Sequence, residues 1–355
     1  MAKNILISIV IPCLNERKTI RKVVYDAYKE AKKNLGKKFE IVVSDNGSTD
    51  GSIEILRKIR KITLINVPVK GYGAALHWGI MKSKGQYVLF ADADLSYPFS
   101  NLRKFVKEMS KRPDLVLGSR MKGTITKGSM PFLHRYFGTP ILTLLIRVLY
   151  KIPTTDCNSG MRLVKKSFYK KLNMRNSGME WASELLLKTA LKKGLYSEVP
   201  IRFKKDKRGS KPHLSTWADG WRHLKAIFLL KPTSIYPFVY LLIILGIVFL
   251  KISFSFTFLF FILSLVLILS LITLNFLSAI IENKETALSR FLKDFRLVPT
   301  TALVSIIVGA AITIISDSHL GTKLFLASIL GITFMWIFLV ETIKTHLANR
   351  LPDIK

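Results

Sequence analysis

This 355-residue chain is poor in cysteine and, for its basic content, in acidic side chains. Its two cysteines, Cys13 and Cys157, can build neither a disulfide framework nor a zinc quartet, and they suit a reducing compartment. Against 55 Lys and Arg stand 23 Asp and Glu, a formal net charge of +32. The shortage of acid is uneven. Residues 234–355 carry nine basic and six acidic side chains, which leaves 46 and 17 in residues 1–233 and a net of +29 there. So basic a segment seeks an anionic partner. Helix-turn-helix, zinc-finger and RNP motifs are all lacking, which sets nucleic acid aside. A bilayer with anionic headgroups is the better match, given the apolar runs further on. The opening MAKNILISIVIPC lacks a small-residue cleavage site and meets charge by Glu16. It reads as a buried first strand rather than a signal peptide.

What is present centres on Tyr87–Pro98, YVLFADADLSYP. A short apolar strand ends in Asp92 and Asp94, one residue apart. Alternate residues of an extended chain point the same way, so both carboxylates can face one ligand. Hard oxygen donors at a strand end suit Mg²⁺ or Mn²⁺, whose shell is usually completed by substrate phosphates.

Around this stretch, strands and helices alternate with short links. Strands are expected at 5–12, 39–44, 62–67, 87–91 and 115–117. Helices are expected at about 19–33, 52–59, 71–83 and 101–109. The pattern predicts a doubly wound α/β domain with a mostly parallel sheet, in which ligands bind beyond the carboxyl ends of the strands. Pro12, Asp45 and Asp92 all stand at such ends. Two later segments, 130–152 and 216–230, mix aromatics and aliphatics at helical spacing with His134, Arg135, Arg147, Arg222 and Lys225. That pattern fits a helix lying in a membrane interface and a buried globular helix equally well. From Pro232 onward the apolar runs 232–250, 252–281, 297–315 and 324–340 predict four membrane-spanning helices. Basic residues gather in the 282–296 loop and in the tail. The positive-inside tendency therefore expects residues 1–231, that loop and the tail on the cytoplasmic side of a cell or endoplasmic-reticulum-type membrane.

Three ordered motifs carry a resemblance: IPCLNERKTI from Ile11, VSDNGSTDGS from Val43, and ADAD at 91–94. Together they resemble family 2 glycosyltransferases of the GT-A fold. GSR at 118–120, PFLHRYFG at 131–138, DCNSGMR at 156–162, GMEWASEL at 178–185 and RGSKPHLSTWADGWRHL at 208–224 are similar to the branch that makes polyprenyl-phosphate hexoses, dolichol-phosphate mannose synthase among them. The resemblance implies a GT-A domain over 1–231 and a four-helix transmembrane domain over 232–355. It also implies inverting transfer of one hexose, mannose or glucose, from a GDP- or UDP-sugar to a dolichyl or undecaprenyl phosphate.

By the same resemblance, Pro12, Asn15, Glu16, Asp45, Gly71 and Asp92 form the nucleotide site, and Asp92, Asp94 and Ser96 the metal site. Ser96 stands where dolichol-phosphate mannose synthases commonly have Gln. A phosphate monoester with its second pKa near about 6 is already a nucleophile at neutral pH. It needs cations to hold it, and Arg120, Arg135, Arg162, Arg208 and Lys211 are the candidates, Arg120 and Arg208 foremost because they stand in the family motifs. Asp94 would join Arg120 and Arg208 in the catalytic set. Asp156 falls where family members acting on hydroxyls carry a base; with a phosphate acceptor it can instead orient an arginine. Glu184 fits an ion pair. Cellulose- and hyaluronan-synthase relatives carry Q-x-x-R-W, and the lone glutamine, Gln86, is followed by Tyr-Val-Leu, so that motif is absent. The competing readings are transfer to a glycolipid hydroxyl and a non-catalytic membrane scaffold.

Overall fold

The computed structural model describes residues 5–209 and 216–235, with parts of 237–245. The four expected membrane spans fall almost wholly outside the described residues. Among the described residues no helix is long and apolar enough to cross a membrane. One compact unit runs to Ile227, and a second begins at Phe228.

In the first unit, strands β1 (Ile7–Cys13), β2 (Phe39–Asp45), β3 (Thr63–Asn66), β4 (Tyr87–Phe90), β5 (Leu115–Ile125), β6 (Arg162–Lys165) and β7 (Tyr196–Phe203) form a single sheet in the order β3-β2-β1-β4-β6-β5-β7. All neighbours are parallel except β6, which runs against both β4 and β5. The α/β class and the mostly parallel sheet match the expectation. Helices α1 (Ile20–Leu35), α2 (Ser52–Arg57), α3 (Tyr72–Lys82) and α4 (Leu102–Glu108) lie close to their expected positions. Three further helices, α5 (Thr139–Tyr150), α6 (Lys166–Lys171) and α7 (Trp181–Leu191), precede α8 (Thr216–Leu230).

β1 is buried along its whole length. Its Ile7, Ile9 and Ile11 project to one face, where Ile20, Val23, Val24 and Ala27 of α1 meet them in the main core. The spacing of those α1 residues makes one apolar stripe, which explains why this segment is a helix packed on a sheet. Val10, on the opposite face, packs against α3 at Gly79, where an added Cβ would stand 2.4 Å from its Cγ1.

Register places the chemistry. Cys13 lies opposite Asp45, and Val10 opposite Phe90. Two residues further on, Pro12, still paired with Ser44 of β2, and Asp92, just past the end of β4, therefore come to the same end of the sheet. Between β5 and β7 the pairing slips: Ser119 is opposite Pro200, but the next pair is Thr124 with Arg202. The extra residues of β5 bulge out, and Arg120 sits at the start of that bulge, a device that re-aims a side chain. The bulge closes on Gly123, where any side chain would collide with the Ile201 carbonyl at 1.8 Å.

The 130–152 segment begins with a π-helical turn at His134–Gly138 and continues as α5. Thr143, Ile146 and Leu149 of α5 face inward. Leu133, Phe137, Ile141, Leu144 and Val148 are each more than half exposed and recur at helical spacing on one side. Tyr150 donates its hydroxyl hydrogen to the Ile227 carbonyl, tying α5 to α8.

Candidate active site

Beyond the carboxyl ends of β1 and β4 opens a cleft of about 600 Å³. Pro12, Glu16, Gly71 and Asp92 line it, as do Asp94, Ser96, Arg120 and Arg208. These eight residues, expected from the sequence, line one cleft.

At its centre each of the two aspartates accepts a hydroxyl on its Oδ1. Asp92 Oδ1 accepts the Tyr72 hydroxyl at 2.9 Å. Asp94 Oδ1 accepts the Ser96 backbone N–H at 2.9 Å and the Ser96 hydroxyl at 2.6 Å. Asp92 Oδ2 faces Gly160, where a Cβ would stand only 2.6 Å away; the missing side chain keeps that oxygen reachable. Burial, and then the charge of Asp94, push the Asp92 carboxyl up to about 6. Two crowded acids, Asp92 with its Oδ2 facing Gly160 and Asp94 sharing its Oδ2 with Arg208 at 3.3 Å, fit Mg²⁺ or Mn²⁺, which take few protein oxygens and fill the rest of the octahedron with phosphate and water. Among the described residues no group of three or more His, Cys, Asp or Glu forms a complete cage, so such an ion would depend on a phosphate-bearing ligand. The hydroxyl of Ser96, expected as a metal ligand, donates its hydrogen to Asp94 Oδ1.

Arg208 reaches into the same place from the segment after β7. Its Nη2 lies 3.3 Å from Asp94 Oδ2 and its Nε 2.8 Å from Glu16 Oε1. The segment is zipped to the aspartate loop by Lys204 N–H to the Ser96 carbonyl at 2.9 Å and Lys207 N–H to the Asp94 carbonyl at 3.0 Å. Glu16 also accepts the Thr19 hydroxyl at 2.9 Å. Its burial outweighs the nearby guanidinium and pushes its carboxyl up to about 7.

Asp156 lies fully buried behind Arg120. Its Oδ2 accepts Arg120 Nε at 2.7 Å, its Oδ1 accepts Nη2 at 2.7 Å, and Oδ2 also accepts the Arg120 backbone N–H at 2.9 Å. Thus Asp156 orients an arginine, and a carboxylate so engaged has little left with which to take a proton. Burial pushes the Arg120 guanidinium down, but the paired Asp156 carboxylate outweighs it and holds the group above its ordinary range. The segment leading to Asp156 is pinned by Glu198, which accepts Thr154 and Thr155 hydroxyls and the Thr155 N–H.

Other expected site residues stand elsewhere. Asp45 is buried; its Oδ2 accepts the N–H groups of Gly47 and Ser48 at 2.9 and 3.1 Å, while Oδ1 is buried without a hydrogen-bond partner. Asn15 is exposed and staples two loops, its N–H donating to Ser48 Oγ and its Oδ1 accepting Thr49 N–H. Arg162 requires a correction: it is fully buried and spends Nε, Nη1 and Nη2 on the carbonyls of Ser159, Ala182 and Cys157. It clamps the loop and cannot reach an acceptor. Arg135 is exposed on the π-helical turn, against the ring of Tyr136, away from the cleft wall. Lys211 lies outside the described residues. Glu184 forms the expected ion pair, 2.9 Å from Lys188, and caps Arg175 and Asn176 N–H groups. Sequence reasoning missed Tyr72 and Gly160. Tyr72 directly follows Gly71, the residue assigned to the nucleotide site, and Gly160 stands inside the DCNSGMR motif.

Residues 8–172 match the family model described as glycosyl transferase family 2. An uncharacterized protein of Methanocaldococcus jannaschii is 32% identical over 205 residues, 55% of this chain and 80% of that one. The chain belongs to glycosyltransferase family 2. Two relatives of this family 2 glycosyltransferase are named for a hexosyl transfer. The low-salt glycan biosynthesis hexosyltransferase Agl6 of Haloferax volcanii is 34% identical over 227 residues, 64% of this chain. This chain spans only about half of that relative's length, 54%. The dolichyl-phosphate beta-glucosyltransferase of Saccharomyces cerevisiae is 29% identical over 226 residues, 56% of this chain and 67% of that one. Among solved structures, the glucosyl-3-phosphoglycerate synthase of Mycobacterium tuberculosis in complex with Mn²⁺, UDP and phosphoglyceric acid has a TM-score of 0.49 at 19% identity, covering 63% of this chain and 77% of that one.

Proposed function

We propose that this chain transfers a single hexose from a nucleotide diphosphate sugar to a polyprenyl phosphate at a membrane surface, with inversion. One observation carries the reading. The paired Asp92 and Asp94 and two arginines, Arg120 and Arg208, share one cleft, and the carboxylate that could have served as a base, Asp156, is locked onto Arg120. That arrangement suits an acceptor that is already an anion and needs holding. The yeast relative's name, a dolichyl-phosphate glucosyltransferase, supports the same acceptor class. It also favours glucose as the hexose, with mannose as the alternative the assay below distinguishes.

In this reading Asp92 and Asp94 hold Mg²⁺ or Mn²⁺, which supplies charge neutralisation for the departing diphosphate. Gly71 and Lys70 set the wall beside the nucleotide: Gly71 N–H donates to Asn46 Oδ1 at 2.7 Å, and Lys70 Nζ donates to the Asn46 carbonyl at 3.0 Å. Asp45 lies behind the cleft-lining Cys13 and Asn46, and in this reading its buried, unpartnered Oδ1 is the acceptor a base N–H would meet. Arg208 exchanges Asp94 for the acceptor phosphate, and Arg120, steered by Asp156, presents its outer edge from the opposite wall. Preorganised charged donors in a water-poor cleft are the strongest way to stabilise the transferring group. The exposed apolar stripe from Leu133 to Val148, next to the cleft-lining His134 and Thr139, rests in the bilayer boundary, and the spans expected after residue 232 anchor the chain as a multi-pass membrane protein with this domain on the cytoplasmic side.

The test is direct. Purified full-length protein is incubated with radiolabelled UDP- and GDP-hexoses and polyprenyl phosphate, and organic-extractable label is counted. One nucleotide sugar should label the lipid in a reaction that EDTA abolishes and Mn²⁺ or Mg²⁺ restores. Full transfer in EDTA, or label only on a glycolipid hydroxyl, would overturn the reading.

A further inference from the structure

The two aspartates of the cleft are each engaged by an internal hydroxyl, but not equivalently. Ser96 is two residues from Asp94, and its backbone N–H shares the same Oδ1, a local turn that any short polar residue can make. Tyr72 comes from another element. It opens α3, twenty residues before Asp92, and its hydroxyl crosses the cleft wall to Asp92 Oδ1. Its place is built. Gly71 is fixed by Asn46, and Ala74 N–H donates to the Ser177 carbonyl at 3.0 Å, so the start of α3 is held on both sides. A phenol is protonated at neutral pH, and facing a carboxylate oxygen it acts as the donor.

The consequence is stoichiometric. With Oδ1 taken by a phenol, Asp92 presents Oδ2 alone, the oxygen that faces Gly160. A carboxylate limited to one oxygen suits a small cation with strict octahedral geometry. Calcium prefers six to eight oxygens and commonly takes both oxygens of a carboxylate. We propose that Tyr72 is a specificity-determining positioning residue: it holds Asp92 to single-oxygen coordination and thereby selects Mg²⁺ or Mn²⁺ over Ca²⁺. This rests on the reading that Asp92 and Asp94 hold the divalent cation.

The test is metal competition read without turnover. Full-length protein in detergent is mixed with UDP or GDP and Mn²⁺, and free Mn²⁺ is followed by its electron paramagnetic resonance signal while Ca²⁺ is added. Wild-type protein should disfavour Ca²⁺ more strongly than the nucleotide alone does in solution. Tyr72→Phe removes one hydroxyl and keeps the ring; it should fold, as checked by circular dichroism and its melting midpoint. Ca²⁺ should then displace Mn²⁺ about tenfold more effectively relative to wild type, the order of one hydrogen bond. A Ca²⁺-to-Mn²⁺ ratio in Tyr72→Phe within twofold of wild type overturns the proposal while leaving the metal assignment standing, even if activity falls. Wild-type discrimination no better than that of free nucleotide overturns it without need of the variant. If wild-type protein retains no Mn²⁺ with either nucleotide, the metal reading fails and the Tyr72 proposal with it.

Discussion

Asp156 grips Arg120 through both edges of its carboxylate, at 2.7 Å to Nε and 2.7 Å to Nη2, with neither side chain more than slightly exposed. Removing one member of a buried pair strands the other charge, at a cost of about 3–5 kcal/mol. Asp156→Ala should therefore lower unfolding stability steeply. Adding Arg120→Ala to it should cost much less than the sum of the two single changes, because the stranded charge is then gone. A double-mutant cycle on denaturant midpoints checks this; additive losses would mean that the two residues act independently.

Glu16 sets a pH dependence. Its folded carboxyl titrates at about 7 against an ordinary 4.5, so the folded state holds this proton more tightly than the unfolded chain. The stabilisation is complete below 4.5 and is lost as pH rises through 7. Glu16→Gln is neutral throughout. The melting midpoint of Glu16→Gln minus that of wild type should rise between pH 5 and pH 8. A difference that stays flat, or falls, contradicts the burial-driven shift.

The exposed stripe of the 130–150 segment predicts membrane behaviour separable from folding. Leu144 and Val148 touch the solvent side of α5. Leu144→Glu with Val148→Glu should leave the melting midpoint within a few degrees of wild type. Transfer to polyprenyl phosphate embedded in anionic vesicles should nevertheless fall, while transfer to a short, water-soluble prenyl phosphate persists. Equal losses on both acceptors would show that the stripe serves the fold or the cleft rather than the bilayer.

Much of the first domain was legible because its strands are continuous apolar runs and α1 has a clear apolar stripe. β6 was not. Its four residues, Arg162–Lys165, begin with an arginine and end with a lysine, and no local pattern distinguishes a short antiparallel insert from a loop. The extension of β5 past Leu117 was hidden for a similar reason: the bulge at Arg120 breaks the alternation. At the site, the aspartates, Glu16 and Arg208 were found because ordered motifs carry them to strand ends. Arg162 misled because residue type does not reveal that a guanidinium spends its donors on backbone carbonyls. Tyr72 escaped because an apolar-looking aromatic at a helix start is ordinarily packing, and only the fold brings its hydroxyl to Asp92.

The central claim is that the acceptor is a phosphate held by arginine rather than a hydroxyl activated by a base. Arg208 bridges Glu16 and Asp94 at the centre of the cleft. Losing one charged contact to the transferring group at such a place should cost about 2–4 kcal/mol of transition-state stabilisation, roughly 30- to 1,000-fold in rate. The most direct measurement compares wild-type and Arg208→Ala protein on polyprenyl phosphate and on free polyprenol, with nucleotide binding followed in parallel. Wild type should use the phosphate and ignore the alcohol, and Arg208→Ala should lose transfer by that factor while still binding nucleotide. Equal transfer to polyprenol, or an Arg208→Ala protein as fast as wild type, would contradict the account.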